Sequence, residues 1–231
     1  MNKDFLAKIA IRLGVYEPLM KLDTKLINKR QNKAFIRYGL DALVTADKVA
    51  TDCGAQLFLC FGSLLGAYRE KGWIPFDYDL DTGMMYEQRP ANFPQMMEAA
   101  GFTLLRSYYI GTSKRITEDK FDYKGVHIDV HYYYNDDKEH TCCCELTIPH
   151  ESKDWRTANA TDGFPSIIRS CPQTEFERGN FLGHQIYMPV KTKEWLETLY
   201  GESFMTPDPK WTMNNHKKLS TTYGERVYRT S

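Results

Sequence analysis

The order of apolar runs and helix-like segments between residues 56 and 85 constrains the fold of this chain most strongly. Gln56–Phe61 is a short apolar run that is typical of a buried strand, and Gly62 and Ser63 follow it directly. Leu64–Glu70 has helical character, and Asp79–Met85 can form a second strand after a loop. A strand, a helix and another strand in this order indicate a sheet with helices packed beside it.

Helical and extended segments also alternate along the rest of the chain. Residues 17–52 are predicted to form a helix that ends near Gly54, and Val126–His131 alternates strictly between apolar and polar side chains, as a strand does. The remaining predicted elements are helices at Pro90–Ala100 and Lys193–Tyr200 and strands at 102–117, Thr141–Ile148 and Gln185–Val190. The sequence therefore predicts an α/β (α+β) fold, with a mixed sheet flanked by helices and a helical N-terminal extension.

Composition and charge argue against several classes of protein. The 231 residues suit one domain, and the 30 basic and 30 acidic residues leave no basic excess for bulk binding of nucleic acid. No apolar run reaches the roughly 20 residues that span a bilayer, and the N-terminus lacks the features of a secretory signal. The six cysteines do not resemble a disulfide framework. We therefore expect a cytoplasmic protein with reduced thiols.

The first 13 residues carry an apolar face that has two interpretations. Phe5, Leu6, Ile9, Ala10 and Leu13 lie on one side of a predicted helix, and basic residues lie elsewhere on it. Such a helix usually packs on its own domain. It is also the type of helix that binds a membrane surface, so peripheral membrane contact is the second expectation.

Asp79 and Asp81 are the first candidates for a metal site. Residues two apart on a strand point to the same face, so the two carboxylates would lie side by side while Leu80 faces the core. Carboxylates this close repel each other, and a divalent cation such as Mg²⁺ or Mn²⁺ relieves that repulsion. A solvent-exposed acidic turn is the alternative that the two aspartates alone leave open.

The residues upstream of the aspartates favour a phosphate site. Gly62 allows close approach of the backbone, and Ser63 adds a hydroxyl where a strand passes into a helix. Arg69 and Lys71 supply positive charge between this turn and the aspartates. These four residues are candidates for binding the phosphates of a donor molecule beside the metal.

A third carboxylate lies on the alternating strand around Ile128. His127, Asp129 and His131 share one face of that strand, with apolar residues on the other. Asp129 is a candidate for a further metal ligand or a general base, and a neighbouring histidine such as His127 is a candidate for orienting it or for bonding a phosphate. A polar face exposed to solvent is the alternative.

A longer motif unites these residues. Residues 62–81 read Gly-Ser-Leu-Leu-Gly-Ala-Tyr-Arg-Glu-Lys-Gly-Trp-Ile-Pro-Phe-Asp-Tyr-Asp-Leu-Asp, which closely resembles the signature of the LicD family of phosphotransferases. The strand around Asp129 and the pattern of Pro189, Tyr200 and Gly201 resemble later segments of that family. The resemblance extends from about residue 55 to about residue 211. His131 departs from it, because an aromatic residue is usual at that position.

The resemblance implies a nucleotidyltransferase-type fold in a single domain, 1–231. That domain would comprise a helical N-terminal segment, 1–54, and a catalytic core, 55–211.

The resemblance also assigns roles to the candidate residues. Asp79, Asp81 and Asp129 match the family's metal-binding and catalytic carboxylates, and Asp77 and His127 are candidates for supporting them. In such a site the metal would bridge a diphosphate, and Asp129 would act as a ligand or as the base that activates an acceptor hydroxyl.

The reaction that the resemblance implies is the transfer of a phospho-alcohol from a CDP-activated donor to a glycan or lipid-linked glycan, with release of CMP. Choline is the first expectation for the alcohol, and ribitol, glycerol and ethanolamine are the others. Two alternatives remain open: a nucleotidylyltransferase that transfers a nucleoside monophosphate, and an inactive subunit that binds a glycan or a partner protein.

Two further patterns have simpler interpretations. Cys142–Cys144, with His140 and Cys171, would suggest zinc, but adjacent residues on a strand point in opposite directions and make a poor tetrahedral set. The tyrosines at 108–109 and 132–134 would suit a quaternary ammonium ligand, and such runs are more often part of a strand core. We therefore expect both groups to be structural.

Overall fold

The computed structural model describes residues 16–75, 77–146, 163–208 and 221–229. The apolar face predicted within residues 1–13 and the last two residues of the strand predicted at Thr141–Ile148 lie outside these ranges. The described helices are α1 (Tyr16–Asp52), α2 (Phe61–Leu65, which continues as a π-helical turn over Gly66–Glu70), α3 (Phe93–Ala99) and α4 (Thr192–Tyr200). A short 3₁₀ turn covers Tyr86–Gln88.

Within the described residues, eleven strands form one mixed sheet. The strands are β1 (Phe58–Leu59), β2 (Asp79–Met85), β3 (Thr103–Ile110), β4 (Ile116–Tyr123), β5 (Val126–Asn135), β6 (His140–Leu146), β7 (Ser166–Pro172), β8 (Phe176–Phe181), β9 (His184–Pro189), β10 (Thr221–Tyr223) and β11 (Val227–Arg229). The predicted α/β class with a mixed sheet is confirmed.

Strand β5 lies at the centre of this sheet and pairs with three others. β2 runs parallel to it along one edge, while β4 and β6 pair antiparallel with successive parts of the other edge. The sheet continues beyond β4 through β3 and β11, and beyond β6 through β7 and β10. On the far side of β2 it continues through β1, β9 and β8.

Apolar side chains from neighbouring strands pack on one face of the sheet. Leu80, Ile128 and Phe121 are register partners on β2, β5 and β4, and each is fully buried. Phe93 of α3 packs edge-on against Phe121. The burial of Leu80 confirms the prediction that it faces the core between two aspartates.

The opposite face is packed by aromatic rings next to β1 and α4. Trp195 of α4 stacks on Tyr133, and both contact Phe58. Gly83 makes this packing feasible, because a Cβ atom there would lie 2.2 Å from Phe58 Cε2. Tyr133, His131 and Asp129 follow one another on this face of β5, so the aromatic layer borders the predicted site on the same face of the sheet.

The end that was predicted for the strand Gln56–Phe61 is wrong. Only Phe58–Leu59 is paired as a strand, and the helix begins at Phe61 rather than at Leu64. Phe61 has a φ of 40°, an unusual value for a residue with a side chain. The chain therefore turns sharply into the helix, and Gly62 and Ser63 belong to the first helical turn rather than to a strand end.

Other boundaries differ where tertiary pairing adds to the local pattern. The segment predicted to be strand-like over 102–117 contains β3 and the first two residues of β4, and these two strands pair antiparallel with each other. β5 extends to Asn135, four residues beyond the predicted end, because its last residues pair with β6. Strands β7, β8, β10 and β11 were not predicted.

The predicted helix ends are close to the observed ones. α1 ends at Asp52 and α4 ends at Tyr200, followed by Gly201 with a φ of 87°. Such a positive φ favours glycine and terminates the helix. None of the helices in the described ranges has the length and apolar character needed to cross a membrane.

Candidate active site

Four charged residues form one row across the centre of the sheet. Asp81 of β2 pairs in register with Asp129 of β5, Asp129 pairs with Lys120 of β4, and Lys120 pairs with Arg106 of β3. Register partners on neighbouring strands point to the same face of a sheet and lie roughly 5 Å apart. The row therefore places two carboxylates next to two cations on one surface.

A second row lies one pleat further along the same strands. Gly83 pairs with His131, His131 pairs with Glu118, and Glu118 pairs with Tyr108. This row brings an imidazole, a carboxyl group and a phenol beside the charged row. The two rows together form the floor of a cavity.

The cavity has a volume of about 420 Å³. Its walls combine charged and aromatic side chains from β2–β6, α2 and α4. The lining residues are Phe61, Gly62, Asp77, Asp81, Arg106, Tyr108, Glu118, Lys120, Asp129, His131, Glu145, Leu146 and Tyr200.

Gly62 lies in contact with two carboxylates at one end of the cavity. Its backbone N–H donates a hydrogen bond of 2.9 Å to Asp81 Oδ2. A Cβ atom at Gly62 would lie 2.6 Å from Asp77 Oδ2 and 3.0 Å from Asp81 Oδ2. Glycine is therefore required here so that the two carboxylates can lie against the backbone.

Asp77 lies beside the carboxyl groups of Asp79 and Asp81. Burial, followed by the charges of Asp81 and Asp79 and a hydrogen bond with Asp79, raises its pKa to about 8. A carboxyl group with such a pKa holds its proton at neutral pH, because burial and the neighbouring carboxyl groups disfavour a further negative charge. A bound cation would remove that repulsion.

Asp129 has one paired oxygen and one unpaired oxygen. Its Oδ2 accepts a hydrogen bond of 2.7 Å from Lys120 Nζ in an ion pair with little exposure on either side. Its Oδ1 is buried and has no hydrogen-bond partner. Buried carboxylate oxygens are usually paired, so this oxygen is poised for a ligand.

Glu118 and His131 form a second polar pair beside Asp129. His131 Nδ1 lies 3.9 Å from Glu118 Oε2, and His131 Nε2 lies 3.9 Å from Asp81 Oδ1. Burial raises the pKa of Glu118 to about 7. Burial lowers the pKa of His131, but the neighbouring carboxylates outweigh it and raise that pKa to about 9.

The sequence model of the nucleotidyltransferase domain named LicD/FKTN/FKRP matches residues 54–172 of this chain. This chain belongs to the LicD family. The matched region begins just before β1 and ends with β7, so it contains all four strands of the charged row.

The individual proteins that this LicD domain resembles share only a small part of its sequence. The chain is 22% identical over 178 residues to "Ribitol-5-phosphate transferase FKTN" of Mus musculus, an alignment that covers 77% of this chain and 35% of the relative. It is also 22% identical over 179 residues to the protein of the same name in Homo sapiens, with the same coverage. The chain thus spans about a third of the length of these curated relatives.

The LicD signature residues divide into two groups in the structure. Asp77, Asp81, Asp129 and Gly62 line the cavity together. Ser63 is buried behind them, and its Oγ accepts a hydrogen bond of 2.9 Å from the Asp81 backbone N–H. Ser63 therefore fixes the position of Asp81 in this structure, and its predicted contact with a donor phosphate stays a prediction.

The two cations of the signature lie away from the cavity. Arg69 Nε pairs with Glu70 at 2.7 Å, and Arg69 Nη1 donates to the Phe204 carbonyl at 2.9 Å. Lys71 is exposed, with its ammonium group 5.3 Å from the centre of the Tyr68 ring. The structure thus does not bring these two side chains together with the aspartates.

Asp79 and His127 lie at the margin of the site. They are register partners on β2 and β5, one pleat before Asp81 and Asp129. His127 Nδ1 lies 3.2 Å from Gln31 Nε2 of α1, and the imidazole has Asp122 at 3.9 Å. Asp79 interacts with Asp77, and neither Asp79 nor His127 is among the residues that line the cavity.

Sequence reasoning missed the side of the cavity that is built by β3 and β4. Glu118, Lys120 and Arg106 line it beside Tyr108, which the sequence offered only as part of a tyrosine pair. Charged residues are present along Ile116–Tyr123, but the face that carries Phe121 and Tyr123 also carries Thr117 and Asp119. A strand with polar residues on both faces gives a weak period of two, from which its orientation is hard to predict.

The cysteines and tyrosines that the sequence analysis considered as ligand sites lie mostly in the interior of the sheet. All six cysteines are free, and burial raises the pKa of Cys142, Cys143 and Cys144. Tyr132 and Tyr133 are buried in the sheet rather than forming a wall of the cavity.

The donor atoms of this LicD site suit a hard divalent cation. Carboxylate oxygens from Asp77, Asp81 and Asp129 converge on one cavity, and the unpaired Oδ1 of Asp129 is a free ligand atom. Within the described ranges, no three acidic, histidine or cysteine side chains already stand at the spacing of a metal cluster. The ammonium group of Lys120 holds the other oxygen of Asp129 in this arrangement.

Proposed function

We propose that this LicD domain transfers a phospho-alcohol from a CDP-activated donor to a hydroxyl group of a glycan and releases CMP. One observation carries the proposal: Asp81 and Asp129 are register partners that line one cavity, and Asp129 retains an oxygen without a partner. Family membership and the similarity to ribitol-5-phosphate transferases support the same reaction class.

We further propose that Asp79, Asp81 and Asp129 hold Mg²⁺ or Mn²⁺ during the reaction. Such a cation neutralises charge on the donor diphosphate and on the CMP leaving group. Asp77 supports the site by lying against Gly62 beside Asp81. Phe61 and Tyr200 contribute aromatic surface to the lining of the cavity.

The acceptor hydroxyl must lose its proton as it attacks the distal phosphorus atom of the donor. Asp129 is the proposed base, because it lines the cavity and its buried Oδ1 has no hydrogen-bond partner, while Lys120 fixes its other oxygen. A base needs to lie within hydrogen-bond reach of the hydroxyl that it activates. The products are then a phosphodiester on the glycan and CMP.

Ribitol phosphate is the proposed cargo, since the relatives are named for it. Phosphocholine, the first expectation from the sequence, is the second candidate. Phe61, Tyr108 and Tyr200 line the cavity and provide the aromatic surface that a quaternary ammonium group favours. A glycan or lipid-linked glycan in the cytoplasm, with peripheral membrane contact through the N-terminal segment, is the proposed acceptor setting.

The test is CMP release from CDP-ribitol, CDP-choline, CDP-glycerol and CDP-ethanolamine in the presence of Mg²⁺ or Mn²⁺. We expect metal-dependent CMP from one donor, with loss of CMP in Asp81→Asn and in Asp129→Asn. Asp137→Asn is the matched control, because this carboxylate is exposed on a turn outside the cavity. Release of pyrophosphate from CTP, with no CMP from any CDP-alcohol, would instead identify a nucleotidylyltransferase.

A further inference from the structure

The charged row of the cavity is ordered by sign. Its carboxylates, Asp81 and Asp129, lie on β2 and β5, and its cations, Lys120 and Arg106, lie on β4 and β3. All four residues line the same cavity. The cavity therefore has an acidic end, which suits a metal ion, and a basic side, which suits an anion next to that metal.

Lys120 and Arg106 are held in place by their neighbours. The Lys120 ammonium group donates to Asp129 Oδ2 at 2.7 Å, and its side chain is 16% exposed. Arg106 Nη1 donates to the Tyr108 hydroxyl at 3.3 Å. A cation that is fixed before the ligand arrives loses less side-chain entropy when it binds that ligand.

We propose that Lys120 and Arg106 form the anion subsite of this cavity and bind the diphosphate of the nucleotide-activated donor. The inference rests on the proposed function for the identity of the donor. Lys120 and Arg106 thus take the phosphate-binding role that the sequence motif suggested for its own two cations, Arg69 and Lys71. Arg69 is committed to Glu70 and to the Phe204 carbonyl, and Lys71 lies outside the cavity.

The balance of charge in the cavity adds a condition to this binding. Five acidic side chains line it, at positions 77, 81, 118, 129 and 145, together with Lys120, Arg106 and His131, and raised pKa values favour the protonated forms of Asp77 and His131 at neutral pH. Asp81 and Asp129 carry the proposed metal, and a divalent cation held there places additional positive charge beside the diphosphate. Binding of the diphosphate to the subsite is therefore expected to require Mg²⁺ or Mn²⁺.

The inference is tested by calorimetric titration of CDP into the protein with and without excess Mg²⁺. Lys120→Met and Arg106→Met are each expected to weaken CDP binding by about tenfold or more, because each removes a charge-assisted contact. Arg106→Lys is expected to recover only part of that loss, since lysine lacks the planar fork of arginine. Lys138→Met removes the same charge from an exposed turn and serves as the control.

A second titration, with Mn²⁺ alone, separates a lost subsite from a damaged fold. Lys120→Met is expected to keep or strengthen Mn²⁺ binding, because Asp129 loses its competing ion pair. Unchanged CDP binding in both methionine variants would overturn the subsite and leave the proposed reaction standing. Parallel loss of CDP and Mn²⁺ binding would also overturn it. A wild-type protein that binds no CDP at any Mg²⁺ concentration would overturn the subsite and the proposed donor class together.

Discussion

Buried carboxylates on the two faces of the sheet at strand β4 have opposite hydrogen-bonding environments. Asp119, on one face, is fully buried and accepts hydrogen bonds from Arg89, Ser107 and Tyr132. On the other face, Lys120 reaches Asp129, whose second oxygen has no partner. Donors thus surround the first carboxylate, whereas the second faces a cavity.

This difference separates a carboxylate that stabilises the fold, on what we call the scaffold face, from a carboxylate that can bind a ligand, on the cavity face. A buried carboxylate whose oxygens are all paired contributes to the stability of the fold and has no oxygen left for a ligand. A buried carboxylate with an unpaired oxygen raises the free energy of the empty site, and a cation or a substrate proton relieves it. Burial alone does not distinguish the two residues, but the distribution of hydrogen-bond donors does.

The largest expected effect is a loss of activity when Asp129, which lines the cavity, is replaced. Asp129→Asn is expected to lower kcat/KM for the CDP-alcohol by roughly 10²–10³-fold, since it removes a charge that acts on the reacting groups. Its free energy of unfolding should fall by about 1–2 kcal/mol, less than in Asp119→Asn, because Lys120 loses its counter-ion but is more exposed than Arg89. Kinetics and urea unfolding measured on the same preparation check both values. A large loss of stability with little loss of activity would assign Asp129 to the scaffold.

Asp119→Asn is the matching change on the scaffold face. It is expected to lower the free energy of unfolding by about 3 kcal/mol, because Arg89 is left buried without its counter-ion. Urea unfolding at pH 7 measures this loss. The folded fraction should retain its affinity for CDP, and a variant with full stability would show that the donors around Asp119 contribute little.

Glu118, beside Lys120 on the cavity face, should make stability depend on pH. Burial raises its pKa from 4.5 to about 7, so the folded protein holds a proton that the unfolded chain releases. This contribution is complete below pH 4.5 and is lost as the pH rises to about 7. Glu118→Gln should reduce the fall in unfolding free energy between pH 4.5 and pH 7 by about 2 kcal/mol in metal-free buffer. Parallel pH profiles for the two proteins would contradict this assignment.

The smallest expected effect is the removal of one donor from the scaffold face. Tyr132→Phe keeps the ring and deletes the hydroxyl that donates to Asp119 Oδ2 at 2.6 Å. The free energy of unfolding should fall by about 1–2 kcal/mol, because Arg89 and Ser107 still donate to this carboxylate. A loss as large as that of Asp119→Asn would mean that the phenol alone holds the carboxylate.

Half of the site could be predicted from the sequence. Asp81 was identified from its spacing to Asp79 on a predicted strand and Asp129 from the strict alternation of Val126–His131, so the face of each side chain follows from its position. The structure adds that the two strands are parallel neighbours in register, a fact that depends on the whole topology. Gly62 was also identified, although it lies in a helical turn rather than at a strand end.

The other half depended on pairing that local patterns do not encode. β4 carries polar side chains on both faces, since Asp119 shares one face with Phe121 and Tyr123, and Glu118 and Lys120 lie on the other. Arg106 enters the row only because β3 pairs with β4 through an irregular register. Proximity along the chain favoured Arg69 and Lys71 instead, and tertiary contacts hold Arg69 elsewhere.

The most direct test of the distinction between the two faces is a Mn²⁺ titration followed by electron paramagnetic resonance. Wild-type protein, Asp129→Asn and Asp119→Asn would be compared at a temperature at which all three are folded. We expect Asp129→Asn to bind Mn²⁺ at least about tenfold more weakly than the wild type, and Asp119→Asn to bind it with unchanged affinity. Equal Mn²⁺ affinity in the wild type and in Asp129→Asn would contradict the assignment of the cavity face as the metal site.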